Sequence, residues 1–191
     1  MGYPPAGVRP VPGEEPDIAA LVERTPLDPS GRAAELAAAL RDPDYPLAVG
    51  ADAPGPGHLC ATAWVFDAGG DQVLLVRHRT LGWVQPGGHL DPGEPPDVGV
   101  ARELAEETGL QLDPGPVPTV LHPAIFPARG DEPAHLHWNL GYRFIADPSA
   151  PLTPEPGAPA AWFAVDDLPR PTTPDVAPLV VLLRDASPPP D

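Results

Sequence analysis

Proline makes up 33 of the 191 residues of this chain, more than three times its usual share of about 5%. Proline fixes the backbone φ angle and removes a hydrogen-bond donor, so it interrupts helices and central strands. We therefore expect short helices and strands joined by stiff loops. The chain is long enough for one domain with its own core, plus extensions.

The charge of the chain limits its partners. Acidic residues outnumber basic ones by 27 to 11, and the formal net charge is −16 at pH 7. Such a surface repels polymeric nucleic acid and anionic membranes, and the sequence carries no basic stripe, so we expect neither as a partner. A phosphorylated small molecule would need a divalent cation or a local arginine cluster to bind.

The single cysteine and the N-terminal sequence bear on the cellular location. Cys60 cannot form an internal disulfide and is not part of a CxxC pair for zinc, so we expect a small buried apolar residue. Residues 1–16 lack the charged and apolar regions of a signal peptide. No segment approaches the roughly 18 consecutive apolar residues of a membrane span. We therefore expect a soluble, cytoplasmic protein.

The local patterns predict three regions. Residues 1–57 form a proline-rich extension with two short helices at 17–24 and 30–41, residues 58–185 form the main domain, and residues 186–191 form a loose tail. We expect the extension to serve packing. In the main domain, strands are predicted at 59–66, 72–79, 117–121, 136–146 and 160–165, and helices at 96–108 and 175–184. A short extended piece at 83–90 is expected to be broken by Pro86, Gly87 and Gly88. This order indicates a mixed sheet sandwiched between helices.

The helix that begins after Glu94 is well delimited by the sequence alone. Proline is favoured in a first helical turn, where Asp97 also complements the helix dipole, and both prolines 95 and 96 stand there. Gly109 stands where a glycine typically ends a helix. At about 100° per residue, one face is predicted to pack on the core. Its members are Val98, Ala101, Leu104, Ala105 and Thr108.

The opposite face of this helix carries three carboxylates, those of Glu103, Glu106 and Glu107. Spacings of three and four residues bring them together. A close pair of like charges costs roughly 4 kcal/mol at an effective dielectric constant near 20. A divalent cation removes this repulsion, and carboxylate oxygens are its preferred ligands.

A solvated acidic face is the usual meaning of such a charge run. Two neighbouring features favour a binding site instead. The glycines at 87–88 allow a backbone to approach a ligand closely. Arg102, next to the carboxylates, can orient one of them or grip a phosphate.

Residues 88–110 resemble the signature of the Nudix hydrolases, G-x5-E-x7-R-E-U-x-E-E-x-G-U, where U is a bulky aliphatic residue. The nine fixed positions are all filled, by Gly88, Glu94, Arg102, Glu103, Leu104, Glu106, Glu107, Gly109 and Leu110. At average residue frequencies, a chance match in this chain has odds of order one in ten million. With a W-F-x-x-D-D-L-P segment at 162–169, the resemblance spans roughly residues 58–185.

The resemblance implies a fold and a reaction. The fold is the Nudix fold, an α/β architecture with a mixed β-sheet sandwiched between α-helices (α/β/α). The reaction is hydrolysis of a diphosphate linkage in a nucleoside diphosphate joined to another group, with one to three Mg²⁺ or Mn²⁺ ions as cofactor. The partner is then a small-molecule nucleotide derivative, and the oligomeric state stays open between a monomer and a homodimer.

The resemblance also implies roles for residues of the signature. Glu103 and Glu107, with Glu106, are expected to bind the metal, and the backbone carbonyl of Gly87 to complete its coordination. The residues expected to act in catalysis are Glu103, Glu106, Arg102 and Glu94, of which the last two orient the cluster. The general base stays open. We favour Glu103, and a loop carboxylate, Asp131 or Glu132, is the alternative.

Substrate contacts are predicted less sharply. Arg77 and Arg79 share one strand face and would either attract phosphate or offset nearby acids. His89 lies inside the signature, where it would contact phosphate or take part in packing. The aromatic residues are candidates for base stacking, although aromatic residues in strands are more often part of a core. They are Trp83, Trp138, Tyr142 and Trp162.

Two other functions compete with hydrolysis. The first is a nucleotide-binding or regulatory module that keeps the fold without turnover; such modules usually lose the metal carboxylates, whereas this chain has all of them. The second is a diphosphate isomerase, which needs a cysteine and a glutamate as acid and base. Cys60, the sole cysteine, lies in an apolar strand and is a poor candidate for that role.

Overall fold

The computed structural model describes residues 17–28, 32–39, 48–49, 57–115, 117–126 and 135–186. The helices are α1 (Ile18–Arg24), α2 (Arg32–Ala39), α3 (Pro96–Thr108) and α4 (Val176–Leu183). The strands are β1 (Ala48–Val49), β2 (Gly57–Phe66), β3 (Gln72–His78), β4 (Gly82–Val84), β5 (Gly87–His89), β6 (Val120–Phe126), β7 (His135–Ile145) and β8 (Ala160–Ala164). These strands belong to one sheet.

Strand β2 is the centre of the sheet. On one side it runs parallel to β7 along its whole length, from the pair Gly57–Leu136 to the pair Phe66–Ile145, and β6 lies antiparallel beyond β7. On the other side it pairs in turn with β1, β5 and β3. Strand β3 in turn lies antiparallel to both β4 and β8. The sheet is therefore mixed, as predicted.

The alternation of side chains along β2 separates two hydrophobic cores. Odd-numbered residues from Leu59 to Val65 pack with Val100 and Leu104 of α3. Trp64 and Phe66 point to the other face and pack with apolar side chains of α4. The sheet is thus sandwiched between helices, which confirms the predicted α/β/α architecture.

The two N-terminal helices form part of the first core. Asp17 caps α1 by accepting a hydrogen bond from the N–H of Ala20, and α1 and α2 bury Leu21, Val22, Ala33 and Leu36. After α1, the chain pairs with the outer side of β6 through a hydrogen bond between Asp28 and Leu121. Two short helices were expected here. The division of the chain at residue 57 stays a prediction.

Prolines mark three of these elements. The extended piece at 83–90 is broken at Pro86, as predicted, into the two strands β4 and β5. Strand β6 begins and ends later than expected and includes Pro123, which an edge strand tolerates. Helix α4 includes Pro178, which lies in the first turn, where proline loses no helical hydrogen bond. Residues 1–16 and 187–191 lie outside the described residues.

The predicted core face of α3 is partly wrong. Leu104 and Thr108 are buried as expected, but Val98 is 51% exposed, and Val100 is buried in its place. The cause is Gly99, where an added Cβ would lie 2.5 Å from Cδ2 of Leu90. Gly99 and Val100 therefore face the sheet, and Val98 faces solvent.

Leu104 and Val98 therefore provide a paired test of this orientation. We expect Leu104→Ala to lower the free energy of unfolding by about 2–5 kcal/mol, because it leaves a cavity in the first core. Val98→Ala should change it by less than about 0.5 kcal/mol, since the side chain is exposed. Urea denaturation of both variants gives the two values, and similar losses would contradict the orientation of α3.

Candidate active site

Strand β5 brings the backbone of two glycines against two carboxylates of α3. The N–H of Gly87 donates to Oε2 of Glu107 at 2.8 Å. A Cβ atom added at Gly88 would lie 2.6 Å from Oε1 of Glu103, so a larger residue would displace this carboxylate. Glu103 and Glu107 therefore both lie against the same short strand.

Arg102 connects this part of α3 to the loop before it and to β5. Its Nε and Nη2 donate to the two carboxylate oxygens of Glu94 at 2.9 and 2.8 Å, and Nη2 also donates to the carbonyl oxygen of His89 at 3.0 Å. Its Nη1 donates to Oε1 of Glu103 at 2.9 Å. The hydrogen bonds that Arg102 donates to Glu94 raise the pKa of Arg102. The guanidinium is thus held in one orientation and holds Glu103 in turn.

The carboxylates of the site differ in their pKa values. Burial, followed by the charges of Glu103 and Glu155, raises the pKa of Glu107 to about 7 against the opposing hydrogen bond from Gly87. Burial also raises the pKa of Glu103, although Arg102 opposes this shift. Burial acts on Glu94 as well, but its hydrogen bonds with Arg102 outweigh it and lower the pKa.

The other two predicted metal ligands, Glu106 and Gly87, differ in their contacts. Glu106 is exposed, and its Oε2 lies 3.3 Å from Nη1 of Arg102. The same Nη1 donates to Glu103, so Arg102 connects the two carboxylates. Gly87, whose carbonyl was the predicted ligand, contributes its N–H to Glu107. The pair of Glu103 and Glu107 is the centre of the acidic site, and Glu106 lies at its exposed edge.

A cavity of about 950 Å³ opens beside Glu107. Its lining includes Glu107 and all three of the predicted substrate residues, Arg77, Arg79 and His89. Thr62 and Gln85 also line it, and the buried Oγ1 of Thr62 and Oε1 of Gln85 have no hydrogen-bond partner among the described residues. The cavity is therefore lined by acidic and basic side chains and by polar atoms that have no hydrogen-bond partner among the described residues.

The aromatic residues considered for base stacking lie elsewhere. Trp138 and Tyr142 are buried in the first core, and Trp162 packs against it. Trp83 meets Phe163 edge-on, with the ring centroids 4.7 Å apart. Among the described residues that line the cavity, none is a tryptophan or a tyrosine.

Several residues of the cavity have no individual signal in the sequence. Glu155 comes from the loop before β8 and acts on Glu107 through its charge, and Asp175 comes from the start of α4. Glu155 lies in a proline-rich stretch that reads only as a loop, and Asp175 begins the helix predicted at 175–184, so neither position indicates a cavity residue. The loop carboxylates proposed from the sequence, Asp131 and Glu132, lie outside the described residues.

A second cluster of potential ligands lies at the floor of the cavity. It consists of His58, Cys60, His89 and His137, whose ligand atoms all lie within 4.8 Å of one another. Period-two alternation on β7 places His137 and Asn139 on one face, which was the available signal for this cluster. The pairing of β2 with β7 and β5 was not visible in the sequence.

Comparisons with known proteins agree with this architecture. The NUDIX domain family matches residues 56–183. The chain is 37% identical over 106 residues to an m7GpppN-mRNA hydrolase from Bos taurus, an alignment that covers 50% of this chain and 33% of the relative. It is also 37% identical over 99 residues to an ADP-ribose pyrophosphatase from Mycobacterium tuberculosis, covering 49% of this chain and 47% of that relative.

The fold is also similar to a solved structure. The crystal structure of a MutT NUDIX hydrolase from Burkholderia pseudomallei superposes with a TM-score of 0.52 and 25% identity, covering 68% of this chain and 99% of the other. The chain spans a third to about half the length of the two curated relatives. Because the family match extends over more than half of the chain, the protein belongs to the Nudix family.

The raised pKa of Glu107 predicts how pH changes the stability of the metal-free protein. The folded state favours the protonated carboxyl, so stability should fall as pH rises from about 4.5 to about 7 and then level off. Glu107→Gln removes this titration. We expect the variant to be about 1–3 kcal/mol more stable than the unaltered protein above pH 7, with little difference below about pH 4.5.

Urea denaturation in the presence of a chelator, repeated across this pH range, measures the effect. Glu23→Gln is the matched control, because Glu23 is an exposed glutamate of α1. An identical pH dependence for Glu107→Gln and the unaltered protein would contradict the burial of a titrating carboxyl at this position.

Proposed function

We propose that this protein is a metal-dependent hydrolase that cleaves a diphosphate linkage in a nucleoside diphosphate derivative, with Mg²⁺ or Mn²⁺ as the cofactor. The observation that carries the proposal is the pair of carboxylates, Glu103 and Glu107, set against β5 beside a cavity with two arginines. The names of the relatives from Bos taurus and Mycobacterium tuberculosis support the same reaction class.

The donor set of the acidic site suits a hard divalent cation. Glu103 and Glu107 are partly buried and repel each other, and both have raised pKa values. A cation would remove this repulsion, and carboxylate oxygens are the ligands that Mg²⁺ prefers. We assign Glu103 and Glu107 as its ligands, with Glu106 at the exposed edge of the site. When bound, the ion supplies Lewis-acid stabilisation of phosphate charge and lowers the pKa of water.

The chain's own residues position the reaction. Glu94 fixes Arg102, and Arg102 engages Oε1 of Glu103, so the carboxylate has a defined orientation. We assign Oε2 of Glu103 as the acceptor of the proton from the attacking water. Glu155 also lines the cavity and is the second candidate to accept this proton, because its charge acts on Glu107 from the loop before β8.

The cavity suits a nucleotide-sized molecule. Its volume of about 950 Å³ lies at the upper end of ordinary small-molecule sites, which run from about 300 to 1,000 Å³. Arg77 and Arg79 would bind the diphosphate, since they supply positive charge in a strongly acidic chain. Thr62 and Gln85 would offer their unsatisfied oxygens to the rest of the substrate.

The alternative functions have less support. The non-catalytic module would not require Arg102 to be joined to three glutamates of the signature, as it is here. The isomerase would need a reactive Cys60, whose thiol is 1% exposed and has its pKa raised, first by burial and then by the charge of Glu103. Hydrolysis is therefore the function that the geometry supports best.

The first test of the proposed hydrolysis is Glu103→Gln. A panel of nucleotide diphosphates, nucleotide sugars, ADP-ribose and dinucleoside polyphosphates is incubated with Mg²⁺, and the products are identified. On the best substrate, we expect kcat of Glu103→Gln to fall by roughly 10²- to 10⁴-fold, because the variant loses a charged ligand and the proton acceptor. Glu23→Gln should keep full activity, and near-normal turnover by Glu103→Gln would overturn the assignment.

The second test concerns the two arginines of the cavity. We expect Arg77→Ala and Arg79→Ala each to raise KM by about tenfold, because a hydrogen bond to a charged group contributes about 1.5–3 kcal/mol. The matched control is Arg24→Ala in α1, where the arginine is exposed and lies outside the cavity lining. Unchanged KM in both cavity variants would show that these arginines only offset nearby acids.

A further inference from the structure

We propose that His58, Cys60, His89 and His137 form a Zn²⁺ site at the floor of the cavity, separate from the acidic site. These residues come from three strands, β2, β5 and β7, which meet at this point. The proposal concerns metal binding by nitrogen and sulfur donors. It therefore does not depend on the proposed hydrolysis.

The sheet register brings the four side chains together. In the parallel pair, His58 lies opposite His137, and in the antiparallel pair Cys60 lies opposite His89. His58 and Cys60 are two residues apart on β2, so they point to the same face. The other face of β2 at this level packs under α3, where Leu59 and Ala61 belong to the first core. The cluster and the helix therefore lie on opposite faces of the sheet.

The distances within the cluster suit a tetrahedral ion. All four ligand atoms lie within 4.8 Å of one another, and Nε2 of His58 lies 2.8 Å from Nε2 of His89. Zinc bonds of about 2.0–2.3 Å place the donors of a tetrahedral site roughly 3.3–3.8 Å apart. To reach this geometry, the two imidazoles would have to separate by roughly 0.5 Å, and donors as far apart as 4.8 Å would have to approach by roughly 1 Å. Shifts of this size are within the reach of side-chain rotation.

The chemistry of the donors selects the metal. Three imidazoles and one thiol are the borderline and soft ligands of Zn²⁺, whereas Mg²⁺ prefers oxygen. The exposed fractions of His58, Cys60 and His137 are 4%, 1% and 6%. Burying so many polar rings in a sheet gives less stabilisation than apolar side chains of the same volume would. A bound ion with four protein ligands would account for this use of buried positions.

The site would fix the strand on which the acidic site depends. His89 is the last residue of β5, and it directly follows Gly88, the glycine that leaves room for Glu103. A zinc ion would hold β5 to β2 and β7 from the cavity side, while Arg102 holds the carbonyl of His89 from the helix side. The proposed role of the ion is therefore structural, in keeping with its four protein ligands and the absence of a fifth donor in the cluster among the described residues.

Cobalt provides a specific probe of the site because Cys60 is the only cysteine of the chain. The metal-free full-length protein is titrated with Co²⁺ in excess Mg²⁺, which occupies the carboxylates. We expect a thiolate-to-cobalt charge-transfer band in the near ultraviolet that saturates at one equivalent and disappears on addition of Zn²⁺. Zinc at about 100 times its Kd should raise Tm by roughly 5–10 °C.

Three variants test whether the metal binds at the cluster and not at other histidines. Cys60→Ser should lose the charge-transfer band, and His137→Gln should weaken Co²⁺ and Zn²⁺ binding by at least tenfold. His78→Gln is the matched control, because His78 lines the same cavity but does not belong to the cluster, and it should bind both ions with unchanged affinity. Circular dichroism establishes that each variant is folded before it is titrated.

Two results would overturn the proposal. One is the absence of the charge-transfer band in the unaltered protein at equimolar Co²⁺, which would leave the cluster as a hydrogen-bonded polar floor of the cavity. The other is a band, or a zinc-dependent rise in Tm, that persists unchanged in folded His137→Gln. Both readouts are independent of turnover, so a failure of the proposed hydrolysis would leave them interpretable.

Discussion

The bidentate ion pair between Arg102 and Glu94 is the contact on which the arrangement of the acidic site depends. It connects the loop before α3 to the middle of the helix, and the same guanidinium binds the carbonyl of His89 in β5 and the carboxylate of Glu103. A single planar cation with five donors can satisfy all these directions at once, which an ammonium group cannot. The ion pair is partly buried and charge-assisted, so it fixes geometry more effectively than an exposed pair would.

The long parallel pair of β2 and β7 determines what packs on each of the two faces of the sheet. Because side chains alternate along β2, one face provides the core beneath α3, and the other provides the cavity floor and the core beneath α4. The acidic site reaches the cavity where β5 is short and rich in glycine. At this gap, Glu107 of α3 lines the same cavity as His137 of β7, although the two residues start from opposite sides of the sheet.

Part of the site was predictable from the sequence because it is local. Glu94, Arg102, Glu103 and Glu107 lie within 14 positions of one another, and the period of a helix dictates which of them share a face. The prediction for Val98 was wrong because helical periodicity defines faces but does not decide which one packs. That choice came from the close contact of Gly99 with Leu90, a tertiary interaction. For the same reason, neither Glu155, in a loop, nor Asp175, at the start of α4, could be assigned to the cavity from the local sequence.

The sequence by itself determined the α/β class, the limits of α3 and the acidic signature, since each rests on residues near one another in the chain. The short elements expected from the proline-rich composition are found in most of the chain, but the prediction was wrong for β2, β7 and α3, which have 10, 11 and 13 residues. Only the tertiary structure decided that His58, Cys60, His89 and His137 meet, because a register between strands more than 20 residues apart depends on the packing of whole sheets. It likewise decided how far burial and neighbouring charge raise the pKa of Glu107, since both depend on atoms brought in from distant segments.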